Sequence, residues 1–234
     1  MIKTSVQLSA IALFLFACSP FVMHVDDQLK IQGTELKVKG LQGWQICRVL
    51  SFGEFKTSKV KGGWKTGTEI HLLINFKNAQ QKFSFTQFNG SGESVEVYCA
   101  GNLNMKSVKL LRTQIDIPLD VDDFFKAQII LNDPDSKWEL TLTNPNEIAF
   151  EKSSHGELVG KDQTYAISPV RELEKGSLGP KVIGYKFTLD DVSVAAVQTL
   201  NGGKVWLSNH LTGDEKIVLA AASSALMFRD DLDK

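Results

Sequence analysis

Thr212-Gly213-Asp214-Glu215-Lys216-Ile217-Val218-Leu219-Ala220-Ala221-Ala222-Ser223-Ser224-Ala225-Leu226-Met227-Phe228 is the stretch whose reading decides the fold. Thr212 and Glu215 stand at the spacing of a capping box, in which a threonine hydroxyl and a glutamate three residues on each take the other's free amide proton. From Ile217 to Phe228 there is no proline or glycine, and Ala and Leu dominate. Those are strong helix formers, so the segment predicts a helix. The run is only twelve residues, too short to cross a bilayer, which takes roughly 20 apolar residues. It is apolar almost all round, with Ser223 and Ser224 the exceptions. A helix without a polar face is buried on most sides. We expect it to pack across a C-terminal sheet, with residues 229–234 as a solvated tail.

The chain upstream of this helix reads as strands. Ile70, Leu72, Ile74 and Phe76 alternate onto one face, as a half-buried strand requires. Lys77-Asn78-Ala79-Gln80-Gln81 reads as a polar turn, and Lys82-Phe83-Ser84-Phe85-Thr86 resumes the alternation. Further strands are expected at 34–38, 44–55, 94–100, 110–117, 127–131, 138–143, 148–151, 165–170, 182–189, 192–200 and 204–207. Asn89-Gly90-Ser91-Gly92 is a turn. Asn201-Gly202 supplies the positive φ angles that a tight hairpin demands. Residues 120–126 are expected to form one helical turn.

Many short strands joined by turn residues predict a mainly β chain. We expect an antiparallel sandwich or barrel-like region over 33–151. A polar break at Lys152-Ser153-Ser154-His155 then leads to a small α+β domain or extension over 156–230, in which a small sheet is packed by the one helix.

At the other end of the chain, Lys3 precedes an apolar run from Val6 to Ala17 that ends in Leu15-Phe16-Ala17-Cys18. The length suits a secretory signal rather than a membrane span. The ending resembles the lipobox of bacterial lipoproteins, with Phe16 where that class usually has a smaller residue. The resemblance covers about the first 18 residues and names no family for the rest. It implies a signal peptide over 1–17, diacylglycerol on the Cys18 sulfur, cleavage before Cys18 and acylation of the new N-terminus. Several acyl chains on one residue hold a protein stably on a bilayer. Ser19 follows the cysteine, where an aspartate marks retention at the inner membrane. The resemblance therefore implies an outer-membrane lipoprotein facing the periplasm. Residues 18–32 show no periodicity and read as a lipidated tether.

If Cys18 carries lipid, Cys47 and Cys99 remain of the three cysteines. In an oxidising compartment two leftover thiols tend to pair. Closing a loop of about fifty residues would stabilise the fold by roughly 4 kcal/mol. The alternative is two separate buried thiols; the disulfide is the expectation. There is no C-x-x-C motif of a redox pair.

No catalytic constellation stands out. Ser58-Lys59-Val60-Lys61 and Lys65-Thr66-Gly67 fit the S-x-x-K and K-T-G motifs of penicillin-binding proteins. There, however, the serine opens a helix and the second motif lies far along the chain. Here Lys56, Lys59, Lys61 and Lys65 read as a basic strand edge, with contact to anionic headgroups or glycans as a further use. His24, His71, His155 and His210 lack a second ligand at metal spacing. Asp120, Asp122, Asp123, Asp133 and Asp135 lack the glycine of a calcium loop. Phe83, Phe85 and Phe88, with Trp44 and Trp64, read as core, with an apolar ligand groove as the alternative. Net charge is −1, so no global field favours nucleic acid, and no cofactor motif is present.

The expectation is therefore a non-enzymatic envelope lipoprotein that binds a protein, glycan or lipid partner. A surface-held periplasmic hydrolase with a site assembled from distant residues is the alternative, and a carrier of apolar ligands a third.

Overall fold

The structure, a computed structural model, describes residues 21–41, 49–63, 79–103, 124–131, 136–143 and 156–232. Among these, thirteen strands form a single sheet. They are β1 (Gly33–Lys37), β2 (Ser51–Phe52), β3 (Phe55–Thr57), β4 (Lys61–Gly62), β5 (Ala79–Phe88), β6 (Ser94–Leu103) and β7 (Phe124–Ile130), then β8 (Lys137–Thr143), β9 (Gly156–Val159), β10 (Thr164–Val170), β11 (Gly184–Leu189), β12 (Val192–Gln198) and β13 (Lys204–Ser208). The order is β1-β13-β12-β11-β10-β9-β8-β7-β6-β5-β3-β2, with β4 beside β5. Neighbours are antiparallel throughout.

The two ends of this order meet. Just past β1, the Lys39 N–H donates to the Ser51 carbonyl at 2.9 Å, and the Ser51 N–H donates back to the Lys39 carbonyl at 3.1 Å. The sheet is thus a nearly closed barrel. Closure removes the row of unpaired backbone groups that an open edge would leave. Alternation aims the apolar side chains inward: Phe83 and Phe85 on β5, Val95, Val97 and Cys99 on β6, and Leu140 and Leu142 on β8 are all buried.

The expected helix is α2 (Gly213–Leu232), preceded in the chain by the short α1 (Asp27–Gln32). Its capping box is formed in both directions. The Thr212 N–H donates to Glu215 Oε2 at 2.8 Å, and the Glu215 N–H donates to Thr212 Oγ1 at 3.3 Å. The helix runs inside the ring rather than across one sheet face, because it touches β3, β5, β6, β7, β12 and β13. Val218, Leu219, Ala220, Ala221, Ala222, Ser223, Ser224, Ala225 and Leu226 are all 0% exposed. Phe228 sets its ring edge-on to Phe83 and Phe85, with centroids at 6.3 and 5.1 Å. An all-round apolar helix needs partners on every side, and one sheet face covers only one.

The C-terminal strands therefore belong to the same wall as the N-terminal ones. Residues 152–155 lie outside the described set. On either side of them β8 and β9 pair, from Leu142 opposite Gly156 to Glu139 opposite Val159. One core cluster spans both halves.

Several local expectations change. Ala79 and the two glutamines after it belong to β5, not to a turn. Phe124, Phe125 and Lys126 open β7 instead of ending a helical turn. In this half of the chain a two-residue hairpin turn falls instead at Asp190-Asp191, at φ +48° and +64°, with Leu189 opposite Val192. Asn201, Gly202 and Gly203 also take positive φ, but within a longer loop between β12 and β13. Arg229 is not part of a solvated tail. It is buried at the helix end, donates to the Tyr185 hydroxyl at 2.9 Å and lies over the Phe125 ring.

The expected Cys47–Cys99 disulfide reaches outside the described residues, and no disulfide is present among those described. Cys99 is a free, fully buried thiol, and Cys47 lies outside the described residues. Cys99 faces the barrel core from the middle of β6, and burial pushes its pKa well up. Exchange chemistry needs the thiolate and an open approach, and this position denies both.

Candidate functional site

Residues 21–32 form a strap on the outside of the barrel, not a free tether. Met23, Val25 and Leu29 are buried there against Ile183, Ala196 and Trp206. Ala196 and Trp206 point outward, between inward-facing neighbours of β12 and β13. Both strands are consequently buried on two faces and lose the simple alternation of a half-exposed strand.

Hydrogen bonds hold the strap at both ends. The Met23 N–H donates to Gln198 Oε1 at 2.9 Å, the His24 N–H to the Glu172 carbonyl at 2.8 Å, and the Glu174 N–H to the Val22 carbonyl at 2.9 Å. At the far end the Asn209 N–H donates to the Gln32 carbonyl at 2.9 Å. Gly184 lets the strap seat closely: a Cβ there would lie 2.3 Å from the Met23 sulfur and 2.1 Å from the Val197 carbonyl oxygen. Both distances are impossible for a real side chain.

Between the strap and β10–β12 opens a groove of about 350 Å³. Val25, Leu29 and Ala196 make its apolar floor, and His24, Arg171 and Lys186 stand among its polar lining. At its heart the Ser193 hydroxyl donates to the Asp26 carboxylate, and Lys186 Nζ lies 3.5 Å from the same carboxylate. The Ser193 hydrogen bond holds Asp26 below its ordinary pKa. Desolvation opposes this, and the charges of Lys186 and His24 reinforce it. A carboxylate so held is a poor base, so Ser193 gains no nucleophilic activation from it. The trio fastens the strap to β11 and β12. A second tie, Lys30 Nζ to Glu174 Oε1 at 2.9 Å, fastens it to the segment after β10.

The residues singled out from sequence fall in different places. Lys56, Lys59 and Lys61 are exposed near β3 and β4, while Cys18, Cys47, Lys65, His71, His155, Trp44, Trp64 and the aspartates at 120, 122, 123, 133 and 135 lie outside the described residues. Ser58 is structural: its Oγ accepts the Thr86 N–H at 2.9 Å and donates to the Lys59 carbonyl at 3.1 Å, joining the stretch after β3 to β5. Phe83 and Phe85 are core, whereas Phe88 is exposed. His24 borders the groove and His210 is exposed. No group of three or more His, Cys, Asp or Glu side chains among the described residues could hold a metal ion. No described helix is long and apolar enough to cross a membrane.

Sequence reasoning missed Asp26, Lys186 and Ser193 as a unit. The three are joined only by the folding of the strap onto β11 and β12, across 167 positions between Asp26 and Ser193. No family model, curated protein or solved structure matches the chain.

Proposed function

We propose that this chain is a lipid-anchored envelope protein with a non-enzymatic binding or assembly role, exerted through the outside of its barrel. The observation that carries the binding mode is the helix inside the ring. Its side chains from Val218 to Leu226 are fully buried against the wall. A carrier of apolar ligands needs an open apolar cavity, and here the chain's own helix takes that space. A partner would then meet the outer face and the loops, where the strap groove lies.

The anchor rests on Leu15-Phe16-Ala17-Cys18 and the apolar run before it, with the outer membrane as its destination and a protein or glycan of the envelope as partner. Mass spectrometry of the mature N-terminus tests it. The expected peptide begins at Cys18 and carries the mass of three acyl chains and glycerol; an unmodified Cys18 would sink the proposal. Crosslinking in intact cells tests the role. A discrete envelope partner, coupled through residues of the outer face, is the expected product. Turnover of a substrate at purified protein would instead make it the hydrolase.

A further inference from the structure

We propose that the barrel rests on the bilayer by one defined end, with Phe21 and Leu178 entering the interface and Lys175 and Lys181 meeting anionic headgroups. This deepens the anchor reading above and rests on it. Chain length sets the first constraint. Only Ser19 and Pro20 separate Cys18 from Phe21, and an extended chain spans at most about 3.6 Å per residue. Phe21 thus lies within ~11 Å of an acylated Cys18, and the strap that follows it is fastened to the barrel wall. Such a connection leaves the barrel little freedom to turn another end to the membrane.

The strap brings a particular surface to that place. Met23 bridges Leu173 and the Glu174 N–H bonds the Val22 carbonyl, so this ladder carries Phe21 toward Lys175. Lys175 is at the tip of a small turn closed by the Glu172–Ser177 bridge and the Leu173 N–H to Gly176 carbonyl bond. Phe21 is 54% exposed and Leu178 39% exposed, and Lys175 and Lys181, three residues before and three after Leu178, are exposed. Large apolar side chains flanked by lysines are the pattern of an interfacial contact. Arg171 adds a further cation, fixed by its Nε donating to the Pro180 carbonyl at 2.9 Å. Of the two local acids, Glu174 is paired with Lys30, which leaves Glu172.

The strand directions place the 199–203 loop at this same end and the turns at 160–163 and 190–191 at the other. Those opposite turns carry Asp162, Asp190 and Asp191 against Lys161. An anionic leaflet attracts the described cations of the first end and repels these turns of the second.

Lysine footprinting on the acylated full-length mature protein, reconstituted into vesicles containing an anionic phospholipid, tests this. The reference is the same chain from residue 19, free in solution. Lys175 and Lys181 are expected to be acylated by a water-soluble reagent at least about fivefold more slowly on vesicles, the factor that one lysine gains near such a surface, while Lys161 is unchanged. Phe21→Ser with Leu178→Ser is expected to return both lysines to the reference rate while Cys18 stays acylated. Equal rates on and off vesicles with Cys18 acylated, protection of Lys161 instead, or full protection surviving the double substitution would each overturn this orientation and leave the anchor standing. An unmodified Cys18 in the same digest would remove the anchor, and the orientation with it.

Discussion

β12 and β13 are covered on both faces, but by segments of opposite character. Inside, Ala195, Val197, Val205 and Leu207 share one core cluster with α2. Outside, Ala196 and Trp206 meet the strap. The helix is apolar on all sides and ends in the one place where every side finds a partner. In the strap Met23, Val25 and Leu29 are buried while His24, Asp27, Gln28 and Lys30 are exposed, so it lies on a surface. The difference is one of coupling. The helix touches strands from the whole ring, so its loss is a global event. The strap touches a few strands and two loops and can open as a local unit.

The sharpest way to break this contrast is at the helix. Phe228→Ala empties the space between the Phe83 and Phe85 rings and is expected to cost about 3–5 kcal/mol, read as a lower urea midpoint at which all probes change together. Leu29→Ala at the strap is expected to cost about 2 kcal/mol, the low end for a buried leucine. Its signature is different: amides of 22–32 exchange faster while those of β6 and β7 keep their protection. Loss of β6 protection in that variant would show that the strap is part of the global unit.

Inside the barrel, Ser224 Oγ donates to Gln87 Oε1 at 2.8 Å, and both residues are buried. Ser224→Ala is expected to cost about 1–2 kcal/mol, because it strands a buried acceptor. Adding Gln87→Leu should recover most of that loss in the same denaturation assay. Thr212→Ala removes one arm of the helix cap and is expected to cost about 1 kcal/mol.

How much of this was legible follows from range. The capping box and the buried character of α2 are properties of seventeen consecutive residues, and they are found as read. The alternation of 82–86 and 94–100 likewise announced strands, since a period of two is local. What the sequence could not announce is how far the sheet continues. The closing bridge joins Lys39 to Ser51, and whether thirteen strands make one ring or two sheets depends on pairings between distant segments. Hence the helix was expected on a small sheet and is found in the middle of a large one. The strap was missed for a related reason. Met23, Val25 and Leu29 are too few to show a period, and their partners lie about 170 positions away. Of the groove, only His24 drew notice from sequence, as a scattered histidine.

The smallest expected effect tests whether the strap's charges hold it. Asp26 and Glu174 both sit below their ordinary pKa values, Asp26 chiefly through the Ser193 hydrogen bond and Glu174 chiefly through that of Lys30. A carboxylate depressed in the folded state contributes stability above its unfolded pKa and loses it as pH falls through the folded value. The ordinary values are 3.8 for Asp26 and 4.5 for Glu174. Strap protection should thus be constant above about pH 5 and decline as acid protonates the two groups, while β6 stays protected. Asp26→Asn removes the share of that decline that Asp26 carries, and Asp26→Asn with Glu174→Gln removes the rest. Both groups are partly exposed, so each tie is modest and weakens with salt. If the double variant kept the full acid-dependent loss, other groups would set it, and the strap would be held by Met23, Val25, Leu29 and its hydrogen bonds without help from these two charges. The outside of β12 and β13 would then differ from the inside in extent of burial but not in kind.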